Sequence, residues 1–167
     1  MRLHSHLAVV AAGVLALATL GVPQAGVAAE PGSRESIDQA AAVNTELALA
    51  YMREGNLKAA REKIDKALQQ DARTANTQMA AGFVYDKLGD KKKALSHFEQ
   101  AVKLGGKDNP DVVANAAVYF CMNGEPKRGE QYMLQAAASP LNARPDVAYT
   151  NAGRCARGDG RPKDAEQ

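Results

Sequence analysis

"LALAYMREGNLKAAREKIDKALQQD" (residues 47–71) is written again, loosely, as "AAGFVYDKLGDKKKALSHFEQAVKLG" (residues 80–105). Tyr51, Gly55, Ala60 and Ala67 of the first stretch recur 34 residues later as Tyr85, Gly89, Ala94 and Ala101. A third copy sets Phe120, Gly124, Gly129 and Ala136 one residue further along. A fourth opens with Asn151, Ala152 and Gly153 and reaches Gly160 and Ala165. Gly55, Gly89, Gly124 and Gly160 each follow a first helix, which a glycine ends by allowing a positive φ. In the first copy, Leu57, Ala60, Ile64, Ala67 and Leu68 then line one face of a second helix. Ala48 and Gly82 leave room for two helices to approach closely, and Tyr51, Tyr85 and Phe120 fill the space beside them. Pro126 and Pro162 fall just inside the following helices, where a missing N–H costs little.

A unit of this length made of two short helices is the tetratricopeptide repeat. The expected fold is all-α, a right-handed superhelical solenoid of tetratricopeptide helical hairpins with a concave face. A four-helix bundle would account for one such pattern but not for a register kept through successive copies. The boundaries read as a leader at 1–29, a lead-in at 30–40, and repeats at 41–74, 75–109 and 110–145. An incomplete fourth repeat occupies 146–167. "GGKDNPD" (105–111) and "SPLNARPDV" (139–147) are the later inter-repeat loops. The last repeat is expected to leave an apolar face for further sequence, a partner or a dimer to cover.

The leader sets the compartment. "MRLHSHL" (1–7) is positively charged, "LAVVAAGVLALATLGV" (7–22) is an uncharged apolar run, and "PQAGVAAE" (23–30) supplies small residues for a cut. Those three parts make a secretory signal peptide and predict a periplasmic protein. The rival, an uncleaved anchor, needs about 20 apolar residues, more than this run holds. No cysteine lies in the leader to carry a lipid, so no direct membrane anchor is expected. Lys and Arg number 21 against 19 Asp and Glu. That near-balance gives no footprint for a polyanion, so nucleic acid is not an expected partner.

The search for chemistry finds no catalytic set. His97, beside Phe98, is the only histidine after the leader and fits an ordinary helix position. Asp86, Asp90, Glu99 and Asp108 are scattered, and "KLGDKKK" (87–93) reads as a solvated basic turn. No zinc spacing, phosphate loop or nucleophile–base pair is present, so neither an enzyme nor a cofactor or metal site is expected. The two cysteines, Cys121 and Cys155, fall on the first helices of adjacent repeats. In an exported chain such a pair reads as a structural disulfide. Their register differs by two positions, so two free buried thiols are the alternative. For the concave face, Asn44, Met52, Gln78 and Asn115 are the candidate protein-binding residues. Tyr51 lies near them, although packing is the better account of that ring.

The stretch "NAAVYFCMNGEPKRGEQYMLQAAASP" (115–140), followed by "YTNAGRCARGDGRPKDAE" (149–166), resembles the type IV pilus biogenesis and stability proteins. These are the tetratricopeptide pilotins of the pilus secretin. That family shows Phe-Leu-Cys before a glycine turn, a helix ending before Ala-Asp-Pro, and a later Asn-Ala-Gly-x-Cys. Phe120 and Cys121 match the first motif, with Met122 following. Ser139 and Pro140 stand for the pre-loop pair, and Asn151, Ala152, Gly153 and Cys155 match the last. The resemblance implies a non-enzymatic periplasmic factor that binds protein through its concave face. Its implied partner is an outer-membrane pilus secretin, whose placement or assembly it would assist. Two departures stand out: the leader lacks the cysteine these proteins lipidate, and the repeats are fewer. The alternative function is a generic exported adaptor for another cell-envelope assembly or secretion system.

Overall fold

Glycine–cap pairs organise the chain into hairpins. Gly89 adopts φ of 81°, so the chain turns there, and Asp90 at once caps the next helix by accepting from the Lys93 N–H at 3.1 Å. Asn56 follows Gly55 in the same way and accepts from the Ala59 N–H at 3.2 Å. Side-chain oxygens there satisfy amides that the first helical turn leaves unpaired. Asn109 caps the fifth helix through the Val112 N–H, and Pro110 sits at its first turn.

The computed structural model describes residues 32–161. The expected signal peptide at 1–29 lies outside the described residues, as do residues 162–167 of the fourth repeat. Among the described residues there are seven helices and no strand. They are α1 (Arg34–Arg53), α2 (Leu57–Gln70), α3 (Ala75–Lys87), α4 (Lys91–Gly105), α5 (Pro110–Met122), α6 (Pro126–Ala137) and α7 (Pro145–Gly158). Helix α1 starts at Arg34, within the segment expected to be a lead-in, because Ser33 caps it by accepting from the Ser36 N–H.

The helices pack as the repeat predicts: α1 on α2, α3 on α4, α5 on α6, with α7 against α6. Neighbouring hairpins stack through α2 on α3 and α4 on α5. The fold is an all-α solenoid of tetratricopeptide hairpins. Alanines fill the crossings: Ala48, Ala60, Ala67, Ala81, Ala94 and Ala101 are fully buried. Between them sit Ile64, Val84, Phe98, Val113 and Phe120, also with no exposed surface. A buried side chain of this size contributes about 1.5–3 kcal/mol by leaving water. The Phe98 ring stacks on Tyr119 at 4.2 Å and meets Phe83 edge-on at 5.1 Å. Gly82 makes room for that ring, since a β-carbon there would lie 2.8–2.9 Å from its atoms.

Repeat three departs from its predecessors at one core position. Where α2 and α4 carry Ala60 and Ala94, α6 carries Gly129. A β-carbon on Gly129 would lie 2.8 Å from both the Ala117 carbonyl oxygen and the Cys121 nitrogen, and would overlap the Cys121 sulfur. The cysteine therefore occupies the volume that an alanine methyl fills in the other repeats.

Polar groups tie the first two hairpins together inside the stack. The Thr45 hydroxyl donates to the Ala41 carbonyl at 2.8 Å and pairs with the Thr77 hydroxyl at 3.1 Å, joining α1 to α3. Both hydroxyls are buried, where an unpaired one would cost about 1–3 kcal/mol.

Candidate functional site

The first helices of the last two repeats, α5 and α7, leave a space between them. Helices α5 and α7 touch only sparsely along their length. From α5, Asp111, Ala114, Asn115, Val118, Cys121 and Met122 recur at three- and four-residue spacing, so they share one face. From α7, Val147, Ala148, Asn151, Arg154, Cys155 and Gly158 do the same. Between these faces lies a groove with two compartments. The larger, about 430 Å³, is floored by Met133 of α6 and edged by Val118, Met122, Pro126 and Arg154. The smaller, about 240 Å³, runs towards Asp111 and Arg144 at the helix starts. Val118 and Asn151 border both, which makes the groove continuous.

The rigidity of this groove comes from beneath and from one end. Ala117, Met133 and Ala152 form a small apolar cluster under it, with Ala114 and Tyr132 packed on the cluster. At the C-terminal end Cys121 and Cys155 come together with their Cα atoms 5.5 Å apart, a separation that suits a disulfide. The longer α6–α7 connection, which puts the two cysteines out of equivalent register, does not part them. Arg128 braces the outer side of α6. Its guanidinium meets Glu99 and Glu125 at 2.9 Å each and lies 4.6 Å from the Phe120 ring centre.

The four residues singled out from the sequence are not brought to one surface. Asn44 is buried, and its amide donates to the Ala40 carbonyl at 2.9 Å and to Gln70 Oε1 at 2.8 Å. Gln78 is buried too, donating to the Ala72 carbonyl at 2.6 Å while its oxygen pairs with His97 Nδ1 at 2.8 Å. Both amides are therefore committed within the fold. Met52 and Tyr51 are half-buried and pack on the main core. Asn115 is exposed and lines the groove. Cys121 and Cys155 both border the groove.

Sequence reasoning passed over Val118, Met122, Asn151 and Arg154 as groove residues. A signal existed: Asn115 and Asn151 stand five residues before the equivalent positions Phe120 and Ala156. Met122 carried none, because an exposed methionine and a buried one look alike in a sequence. Here it is 79% exposed, unusually high for so apolar a side chain.

Among the described residues no general acid–base pair is assembled. His97 is half-buried and stacks on the Tyr85 ring with centres 5.2 Å apart. Burial, aided by nearby Lys93, holds its pKa below the usual histidine value. The Tyr85 hydroxyl donates to Asp65, and burial followed by that hydrogen bond pushes its pKa up to about 12. Both rings are packing groups between α2, α3 and α4. Among the described residues no group of three or more His, Cys, Asp or Glu could hold a metal ion. No helix among them is long and apolar enough to cross a membrane.

Comparison with known proteins places this geometry. Residues 39–105 match the tetratricopeptide repeat family. An uncharacterized protein of Haemophilus influenzae is 32% identical over 101 residues, covering 60% of this chain and 56% of that protein. Among solved structures, PilF of Pseudomonas aeruginosa superposes with a TM-score of 0.68 at 22% identity, over 78% of this chain and 58% of that one. PilW, described as a widely conserved type IV pilus biogenesis factor, superposes with a TM-score of 0.64 at 26% identity. That match covers 76% of this chain and 59% of PilW. The chain thus spans 56–59% of the length of these relatives.

Proposed function

We propose that this tetratricopeptide-repeat protein is a non-enzymatic, protein-binding scaffold of the periplasm that assists type IV pilus biogenesis. Its partner on this reading is the outer-membrane pilus secretin, whose assembly it supports. The observation that carries the proposal is the α5–α7 groove: a continuous, largely apolar cleft on a solenoid similar in structure to PilW. The match of the Phe120–Cys121 and Asn151–Cys155 segments to pilus biogenesis proteins supports the same assignment. Export rests on the signal peptide read at residues 1–29. A disulfide between Cys121 and Cys155 suits the oxidising compartment this implies. Asn115 and the exposed edge of Met122 are the proposed contact residues.

The test is direct. The protein, purified from the periplasm of the producing cell, is titrated against that cell's secretin, with an unrelated envelope protein as control. Saturable binding, weakened by Asn115→Ala and Met122→Ser, is the expected result. A folded, monodisperse protein that does not bind the secretin overturns the pilus assignment and leaves an adaptor for another envelope system.

A further inference from the structure

Building on the scaffold reading, we propose that the α5–α7 groove takes an extended segment of its partner in which an apolar side chain is followed by an acidic one. The apolar side chain enters the larger compartment over Met133, and the carboxylate pairs with Arg154.

Three observations converge on that chemistry. The first is the charge of the lining. Among the described residues Arg154 is the only charged side chain bordering the larger compartment, whose other walls include Val118, Met122, Pro126 and Met133. It is exposed and, like Arg53, Arg144 and Arg157, has no acidic partner among the described residues, so its charge is available to a ligand. Arg144, which also lines the groove, shares the smaller compartment with Asp111 and is a weaker anchor. A cation at the lip of an apolar cavity recruits an anion attached to an apolar group.

The second observation is a pair of free amides. Asn115 and Asn151 occupy equivalent positions on α5 and α7, and neither side chain has a hydrogen-bond partner within the described protein. Asn44 and Gln78, by contrast, spend theirs inside the fold. An asparagine amide both donates and accepts, as a peptide group does, so it can hold an extended backbone without reading its side chains. The third is size. The compartments of about 430 Å³ and 240 Å³ join at Val118 and Asn151. Such a groove suits a segment passing through it rather than a chain terminus plugging one end.

The probe is a fluorescent peptide with both ends blocked, acetyl-Gly-Ser-Leu-Glu-Leu-Ser-Gly-amide, with partner peptides carrying Gln for Glu or Ala for both Leu. We expect saturable binding of the parent, weakened about five-fold by Arg154→Gln, the scale of a well-placed exposed ion pair. The same variant leaves the Gln peptide's affinity unchanged, because the interaction it removes is already missing there. Met122→Ser, at an exposed side chain that folding does not need, weakens every Leu-containing peptide. Absence of binding to the folded protein overturns the proposal. So does equal loss of the Glu and Gln peptides in Arg154→Gln, or binding only when the peptide carboxyl end is free. Secretin binding is measured in parallel. If the secretin binds but is neither competed by the peptide nor weakened by Arg154→Gln, the scaffold reading stands and the groove chemistry fails. If the peptide behaves as expected and the secretin does not bind, the reverse holds.

Discussion

Gly129→Ala is expected to destabilise this protein although it restores the residue found at the same register in the two preceding repeats. Two opposing effects set its size. Replacing a mid-helix glycine by alanine gains about 1 kcal/mol from helix propensity alone. Against that, the new methyl would sit 2.8 Å from the Ala117 carbonyl oxygen and from the Cys121 nitrogen, as well as on the Cys121 sulfur. Those backbone atoms belong to α5 and cannot rotate away, so α6 must shift outward. Overpacking of this kind costs about 1–3 kcal/mol. The balance is a net loss of about 1 kcal/mol, or a fall in Tm of roughly 2–4 °C for a chain of this size. Gly158, with open space around its Cα and a helical backbone, is the control: Gly158→Ala should gain about 0.4–1 kcal/mol. The assay is thermal and urea unfolding of both variants beside the parent. Part of the Gly129→Ala penalty should vanish in a Cys121→Ala background, where the sulfur is gone, giving a coupling of at least about 0.5 kcal/mol. If Gly129→Ala is instead as stabilising as Gly158→Ala, the reasoning that assigns the cysteine this space is wrong.

Other consequences can be measured on the same material. Phe98→Ala removes a fully buried ring stacked on Tyr119 and should cost about 3–5 kcal/mol in urea unfolding; a loss under 1 kcal/mol would mean the hairpins repack freely. On the proposed disulfide to Cys121, 34 residues away in the chain, Cys155→Ser should free α7 from α5. The chain-entropy model puts such a cross-link at roughly 4 kcal/mol, and faster amide exchange confined to α7 is the expected signature. The pKa of His97 is depressed in the fold, so the unfolded chain binds its proton first as pH falls. Stability should therefore decline as pH drops from about 7.5 through the unfolded value near 6.5 and level off below the folded value. His97→Gln should flatten that slope, and an unchanged slope would assign it to other groups.

The fold was legible in the sequence because a solenoid is local. Each hairpin's instructions lie within one repeat: an aromatic residue, a glycine four places on, a capping residue, then alanines seven apart. Tyr85, Gly89, Asp90, Ala94 and Ala101 were enough to place α3, α4 and the turn between them. Periodicity names helices and buried faces wherever contacts fall between near neighbours in the chain. The nearness of the two cysteines was legible in part, since they fall two positions from equivalence in adjacent repeats, and the structure sets their Cα atoms 5.5 Å apart.

The binding surface was not local, and the amides illustrate why. Asn44, Gln78 and Asn115 are the same kind of residue to a sequence reader, yet the first two are spent on Gln70, Ala72 and His97. Only three-dimensional packing decides whether an amide faces a partner within the fold or faces solvent. The sequence by itself determined the repeat, its helices and the pairing of neighbours, because those follow from spacing along the chain. The tertiary structure decided that α5 and α7 stand apart, that Met122 and Arg154 edge the space between them, and that Gly129 yields its volume to Cys121. Each of these depends on how far two helices are held from one another, a distance set by all the side chains packed between them.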